Sequence, residues 1–258
     1  MGITKDDVAK QFGRQSKEYA TSVGHAFGPD LPILLEMLKP NAKMRVLDVA
    51  TGAGHTAAAV APLVAQVVAT DLTAEMVAET LALFAKREIA NGQAQVEDVE
   101  ALSFADASFD AVTCRIAPHH FIDINKAVSE IARVLKPGGV FALEDSIAAR
   151  ARKLDEFINN VERLRDPTHV RAYTLAEWRR MLSANGLRIQ RTRVYRKTHD
   201  IADWIMRAGI DEQAQESVYA AFAAAPKPVR DHYKLKFTDG RATHFTDDKI
   251  ILRATKRR

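Results

Sequence analysis

Cysteine is nearly absent from this chain of 258 residues, with Cys114 the only one, and tryptophan occurs twice. One thiol cannot close an intramolecular disulfide, so the fold must be held by its core, and a reducing compartment fits. Long apolar runs are also missing. No window approaches the roughly 18 uncharged apolar residues that a membrane-crossing helix needs. The stretch from Met1 to Tyr19 is polar and charged, without the apolar centre of a secretory signal. We therefore expect a cytoplasmic protein with no membrane span. There is no internal repeat and no low-complexity segment, and the surplus of positive charge is small, 37 Lys and Arg against 33 Asp and Glu. Apart from Lys256-Arg257-Arg258 the basic residues are scattered, so no nucleic-acid stripe is visible and a nucleic-acid partner is not expected.

What is present is a strong signal near the start. VLDVATGAGHTA, residues 46–57, reads as a strand, a tight Gly52-Ala53-Gly54 loop and a helix, an arrangement that brings backbone N–H groups close to a nucleotide-like ligand. The glycines alone do not separate NAD from other adenosine cofactors. Asp48 does. A pyrophosphate at the helix start would meet a like charge there, whereas the ammonium of a methionine moiety would gain a charge-assisted hydrogen bond. The loop favours S-adenosylmethionine.

Downstream, short β-rich runs alternate with helical patterns, as right-handed βαβ units do when they build a parallel sheet. We read seven strands, at 45–49, 67–71, 94–97, 111–115, 140–144, 187–195 and 249–255. Asp123 should cap a helix whose apolar face is Ile124, Val128, Ile131 and Leu135, stopped by Pro137-Gly138-Gly139. Thr174 and Glu177 form a capping box for a later helix. A hairpin is expected around Asp239-Gly240. Two regions fall outside the repeating pattern and should build the substrate side: residues 1–40, and a helical insertion at 200–247.

Asp71 closes the second strand, where an acid can accept bonds from ribose hydroxyls; the bland reading is a helix cap before Thr73. Asp98, at the end of the third strand, can accept from an adenine amino group or be a solvated loop acid. With these in place, VLDVATGAG, Asp71, EDVEALSFADASFDAV and RVLKPGGVF together resemble a class I S-adenosylmethionine-dependent methyltransferase, closely over residues 44–145. The chain is most similar to the ubiquinone/menaquinone C-methyltransferase-like branch.

The resemblance implies an α/β, doubly wound, seven-stranded, mostly parallel Rossmann-like sheet with its last strand antiparallel and a helical cap. Chain length and the alternating pattern lead us to expect one domain over 1–258, with a helical lid at 1–40, a cofactor-binding core at 41–146 and a substrate-side half at 147–258. Asp48 with the Gly52 and Gly54 loop would hold the methionine end and Asp71 the ribose. Asp98 and the backbone of Val99 would read adenine, with Leu72 and Met76 packed around the adenosine. The backbone near Arg115 would complete the amino-acid side, and Tyr19 would lie over the cofactor. Ala50 replaces the first glycine of the family's loop, which narrows the loop by one methyl group.

Methyl transfer needs a base only if the attacking atom must lose a proton. His119 and His120 stand at the crevice edge as candidates; the competing reading is that they shape the turn, and we expect that of at least one. Arg165, His169 and Arg171, in a polar cluster at 163–171, would hold an acidic acceptor or form a surface ion-pair array. Phe157, Trp178, Trp204, Phe222 and Tyr233 would line an apolar acceptor cavity or pack as core. No metal is expected. The leading reading is methylation of a small molecule, quinol-like or phenolic in character, at carbon or oxygen. The alternatives are RNA or protein methylation, a cofactor-binding protein without transfer activity, and a nicotinamide dehydrogenase.

Overall fold

The structure, a computed structural model, describes residues 2–21 and 28–258, without the side chains of Gln15, Glu18, Tyr19 and Thr21. Two helices lead in, α1 (Lys5–Thr21) and α2 (Asp30–Leu38). The alternating core then runs β1 (Arg45–Val49), α3 (His55–Val60), β2 (Gln66–Asp71), α4 (Ala74–Lys86), β3 (Gly92–Val96), β4 (Phe109–Arg115), α5 (Ile124–Val134) and β5 (Leu135–Ile147). The second half comprises α6 (Arg152–Arg165), α7 (Leu175–Ala184), β6 (Leu187–Asp200), α8 (Ile201–Met206), α9 (Glu212–Ala223), α10 (Lys227–His232), β7 (Lys236–Thr238) and β8 (Arg241–Lys256).

The strand order is β3-β2-β1-β4-β5-β8-β6, with β7 paired only to β8. Strands β1 to β5 are parallel, and β8 runs antiparallel to both β5 and β6. The chain is an α/β doubly wound protein. All seven expected strands lie in this sheet, and β7 adds an eighth that the count of seven left out. It is the short arm of the expected hairpin, whose two turn residues, Asp239 and Gly240, both have positive φ, as a two-residue hairpin turn requires. Strands β6 and β8 also run well beyond the expected 187–195 and 249–255. Their residues pair from Leu187 with Lys256 to Asp200 with His244, broken only by a bulge at Gln190, so cross-strand hydrogen bonds extend the ribbon where hydrophobic alternation had faded.

Burial explains the layers. Parallel strands covered on both sides are apolar on both sides. Leu47, Val49, Val68, Val112, Phe141 and Leu143 pack on one face with Val128 and Ile131 of α5 and Trp178 and Leu182 of α7. Val46, Val67, Ala69, Ala111, Val140 and Ala142 alternate onto the other, against Leu34, Met37 and Leu38 of α2 and the small side chains of α3. The expected caps form: Asp123 accepts from the Asn125 and Lys126 amides, and Thr174 and Glu177 make a reciprocal capping box. A separate core binds α6 to α8, α9, α10 and β8 through Ile158, Val161, Trp204, Val218, Phe222, Tyr233 and Phe245. Of the aromatic residues read as cavity lining or as core, Trp204, Phe222 and Tyr233 pack here and Trp178 packs in the sheet core. Among the described residues no helix is long and apolar enough to cross a membrane.

The loop after β1 carries two opposite constraints. Gly54 has φ +82, and a Cβ there would come within 2.8 Å of Thr80 Cγ2 on α4. Ala50 has φ 50 although it is not glycine. Left-handed backbone costs an L-residue about 1 to 2 kcal/mol, against ~0.5 to 1 kcal/mol of extra chain entropy lost by glycine. Ala50→Gly should therefore raise unfolding stability by about 0.5 to 1 kcal/mol. Gly54→Ala should lower it by about 1 to 3 kcal/mol, because strain and overlap add. Urea unfolding of the two variants measures both.

Candidate functional site

Strand order reverses between β1 and β4, and the crevice beyond their carboxyl ends is where an open α/β sheet takes ligands. A cleft lies there, lined by Ala50, Thr51, Gly52, Asp71, Leu72, Met76, Arg115, Ile116 and His120, with Val8 and Phe12 of α1 across from them. It adjoins a second hollow lined by Lys5, Asp98, Val99, Glu100 and Ile122; Val8, Ala50, Leu72 and His120 border both. The two therefore form one crevice from the end of β4 to the end of β3.

The glycine loop is fixed from beneath and open above. Its amide at Gly52 donates to Asp71 Oδ2 at 2.9 Å, its carbonyl at Gly52 accepts from Thr80 Oγ1 at 2.9 Å, and nothing lies within 4 Å of where a Gly52 Cβ would stand. Asp71 also accepts from the Thr73 amide and hydroxyl at 3.2 Å through its other oxygen. Thr73, not Asp71, caps α4, accepting from the Met76 amide. That leaves Asp71 at the wall of the cleft as the brace of the loop. Burial pushes its pKa up, and the bonds from Gly52 and Thr73 oppose the rise.

Asp48 does not line the cleft. It is 1% exposed, with Oδ1 accepting from Thr113 Oγ1 at 2.6 Å and Oδ2 from Thr51 Oγ1 at 2.5 Å. Its carboxylate sits behind the loop, so its direct grip on a ligand ammonium is replaced by a hold on the loop itself. Burial pushes its pKa up to about 6, against the pull of the two hydroxyls and Arg115. Gly54 likewise stays out of the cleft wall and serves the close approach to α4. Asp98 reaches the hollow but is already engaged: Lys5 of α1 donates to its Oδ2 at 2.6 Å and also contacts Glu100 at 2.7 Å. Tyr19 falls within α1, and its side chain lies outside the described residues.

At the β4 edge, the turn Pro118–His120 sets the paired histidines in different surroundings. His120 borders the crevice, its Nδ1 3.1 Å from the Thr168 carbonyl and its ring edge-on to Phe12 at 4.8 Å. Burial and the neighbouring His119 push its pKa down to about 4. His119 Nδ1 lies 2.6 Å from Asp145 Oδ1 at the end of β5. Burial works against its charge, but Asp145, Glu162 and Asp166 outweigh it and hold its pKa above the ordinary value. Ile116, a β-branched residue with φ 54, turns the chain toward this pair.

The polar cluster at 163–171 does not reach the crevice. Arg165 donates to the Trp204 carbonyl at 2.9 Å and stacks over that indole, while Arg171 bonds Asp155 at 2.8 Å and Glu177 at 3.1 Å. Both guanidinium groups hold α6 to its neighbours rather than an acceptor. His169 is buried at 1% exposure with Nε2 3.0 Å from Asn159 Oδ1, and burial pushes its pKa down to about 2. Sequence reasoning passed over Val8 and Phe12, because nothing local marks a helix face that will cover a distant sheet. It also passed over Asp145, although an acid at the carboxyl end of a strand is the signal that found Asp71 and Asp98.

The family described as Methyltransferase domain matches residues 47–143, the stretch that builds the loop, Asp71, Asp98 and the histidine turn. Over nearly its full length the chain resembles the uncharacterized methyltransferase YcgJ of Bacillus subtilis, at 36% identity over 95% of this chain and 98% of that one. The uncharacterized protein YafE of Escherichia coli is 31% identical over 75% of this chain and 91% of its own. The crystal structure of YcgJ superposes with TM-score 0.86, covering 88% of this chain and 98% of that one. A putative methyltransferase from Bacillus halodurans, 34% identical, superposes with TM-score 0.87 over 90% of this chain and 100% of that one. The chain belongs to the class I S-adenosylmethionine-dependent methyltransferase family. Within it, the relation is to the uncharacterized YcgJ and YafE group.

An acid whose pKa is raised on folding binds its proton more tightly in the fold, so its stabilising contribution is full at low pH and is lost as pH rises through the folded value. For Asp48, with its pKa near 6 in the fold, the loss falls between about pH 4 and about pH 6. Asp48→Asn cannot ionise. Its stability relative to the native protein should therefore improve by about 2 to 3 kcal/mol between about pH 4 and about pH 8, read by urea unfolding at each pH.

Proposed function

We propose that this protein transfers the methyl group of S-adenosylmethionine to a small-molecule acceptor with a quinol-like ring or a phenolic hydroxyl. The observation that carries the reading is the order of groups along one crevice: an open glycine-loop backbone, then the Asp71 carboxylate, then the Asp98-Val99 turn. These suit the methionine, ribose and adenine parts of the cofactor in that order. Free space over Gly52 fits a ligand that approaches main chain, since a side chain there would occupy it. In this reading the Gly52 loop, with Asp48 behind it, and the backbone near Arg115 hold the methionine end. Asp71 accepts from the ribose hydroxyls, and Leu72 and Met76 pack around the adenosine. At the adenine end Asp98 shares its carboxylate with Lys5.

When bound, S-adenosylmethionine supplies a methyl carbon on a positively charged sulfur. The chain's own task is alignment, for which fixed orientation is worth up to ~7 to 11 kcal/mol. Helix α1, with Val8 and Phe12 at the crevice, and the cap packed around Trp204 and Phe222 favour a small acceptor over a macromolecule. Scattered basic residues count against RNA. A cytoplasmic location agrees with the single buried thiol, Cys114.

Calorimetry tests this directly: S-adenosylmethionine and S-adenosylhomocysteine should bind competitively, and absence of binding by both at millimolar concentration overturns the reading. Melting temperature should rise with either and not with NAD; the reverse would favour a dehydrogenase. Asp71→Ala should weaken both ligands about tenfold to a hundredfold, ~1.5 to 3 kcal/mol, with native circular dichroism.

A further inference from the structure

The two histidines of the β4 turn differ in what their ring nitrogens can still do. His120 has Nδ1 committed to the Thr168 carbonyl and hydroxyl and Nε2 facing Asp166 at 3.8 Å. His119 lines neither hollow itself and stands behind His120, ring to ring at 4.1 Å, with its side chain 14% exposed; its Nδ1 is fixed by Asp145, and its Nε2 has no hydrogen-bond partner among the described residues. Asp145 is itself unusual. It is 1% exposed, and its Oδ2 has no hydrogen-bond partner, so His119 is the one side chain bonded to this buried carboxylate among the described residues. Compare Asp48, whose two oxygens are both occupied by hydroxyls, Thr51 of the loop on one and Thr113 of β4 on the other. A buried carboxylate bonded to a single imidazole fixes that ring's tautomer and stabilises the imidazolium that forms when the other nitrogen takes a proton.

Resting on the methyl-transfer reading, we propose that the Asp145–His119 pair is the general base of the site, and that the acceptor is a neutral molecule attacking through a hydroxyl. The proton of the acceptor O–H passes to His119 Nε2. The oxygen's lone pair forms the new O–C bond, the O–H pair remains on oxygen, and the C–S pair stays on sulfur as the sulfide leaves. The charges facing His119 explain why the acceptor arrives neutral. Asp145 of β5, Glu162 of α6 and Asp166 beyond it are all acids, so a carboxylate or phenolate would meet repulsion. The other neighbours are His120, with rings 4.1 Å apart, and His169, at 5.5 Å. Both of these rings are disfavoured as cations, which leaves His119 as the ring of the three that gains a proton readily.

A test needs no acceptor, because the cofactor and its product differ by one positive charge. A base placed for the methyl group lies near that charge, and the like-charge repulsion must lower its pKa. Imidazole NMR on the full chain, assigned with His119→Asn, should show His119 with its proton on Nδ1. It should titrate half to one pH unit lower with S-adenosylmethionine than with S-adenosylhomocysteine, a threefold to tenfold change in proton affinity. Asp145→Asn should lower its pKa in both complexes, and should leave the tautomer no longer fixed. Glu144→Gln removes the nearby buried acid whose pKa lies near 7, and should preserve the difference. An identical His119 pKa in the two complexes overturns the proposal, as does a proton held on Nε2. With labelled S-adenosylmethionine and catechol as probe, methylation at oxygen that His119→Asn slows about a hundredfold at unchanged KM supports it. Equal turnover by that variant overturns it. If neither ligand binds the native protein, it is the methyl-transfer reading itself that fails.

Discussion

The carboxylate of Asp48 is the fixed point of the structure. A buried charge is tolerated only when hydrogen bonds replace the water it lost. Here those bonds come from three different places: Thr113 on β4, Thr51 in the loop and the backbone at Ala57 in α3. Satisfying one side chain therefore fixes the spacing of the two strands at which the sheet reverses and the angle at which the loop leaves the first. Displacing any of the three donors would leave an under-bonded acid in an apolar layer. The crevice inherits its shape from this requirement, since Gly52, Asp71 and Thr80 are joined to the same loop.

Around that fixed point the strand ends separate into acids with different work. Asp48 is buried and fully bonded, and acts on the protein. Asp71 is braced to the loop but stands at the crevice wall. Asp98 is partly solvated and shared with Lys5 of α1, so the leading helix is tied to the β3 end of the crevice by charge as well as by the packing of Val8. Asp145 is buried with one ring for a partner. Four acids at four strand ends thus differ in burial and bonding, and these two properties set what each can do.

Much of the alternating strand-and-helix core was legible locally. Strand β1 was read at its observed bounds, the capping box at Thr174 formed as read, and the Asp239-Gly240 turn made its hairpin; the helix after Asp123 starts at its expected cap but ends at Val134, and Leu135 and Pro137-Gly138-Gly139, read as its last apolar residue and its stop, lie in β5. Each depends on neighbours within a few residues, where glycine geometry, capping and periodicity act. The second half of the chain was less legible. Arg165 and Arg171 carry the chemistry of anion binding, yet Trp204, 39 residues from Arg165, takes one, and Asp155 and Glu177 take the other. The far ends of β6 and β8 escaped for a related reason: exposed ribbon pairs by backbone and leaves little hydrophobic pattern.

By itself the sequence determined the class of fold, the place of the crevice and the acids that border it, because a glycine loop after a β-strand imposes its geometry through steric rules alone. Tertiary structure decided which of those groups face the crevice. It turned Asp48 inward onto two threonines, gave His120 to a carbonyl 48 residues away and gave His119 to Asp145. Spacing along a chain fixes where a side chain starts. Its partner is chosen by packing, which brings distant residues within the few ångströms over which hydrogen bonds and buried charges act.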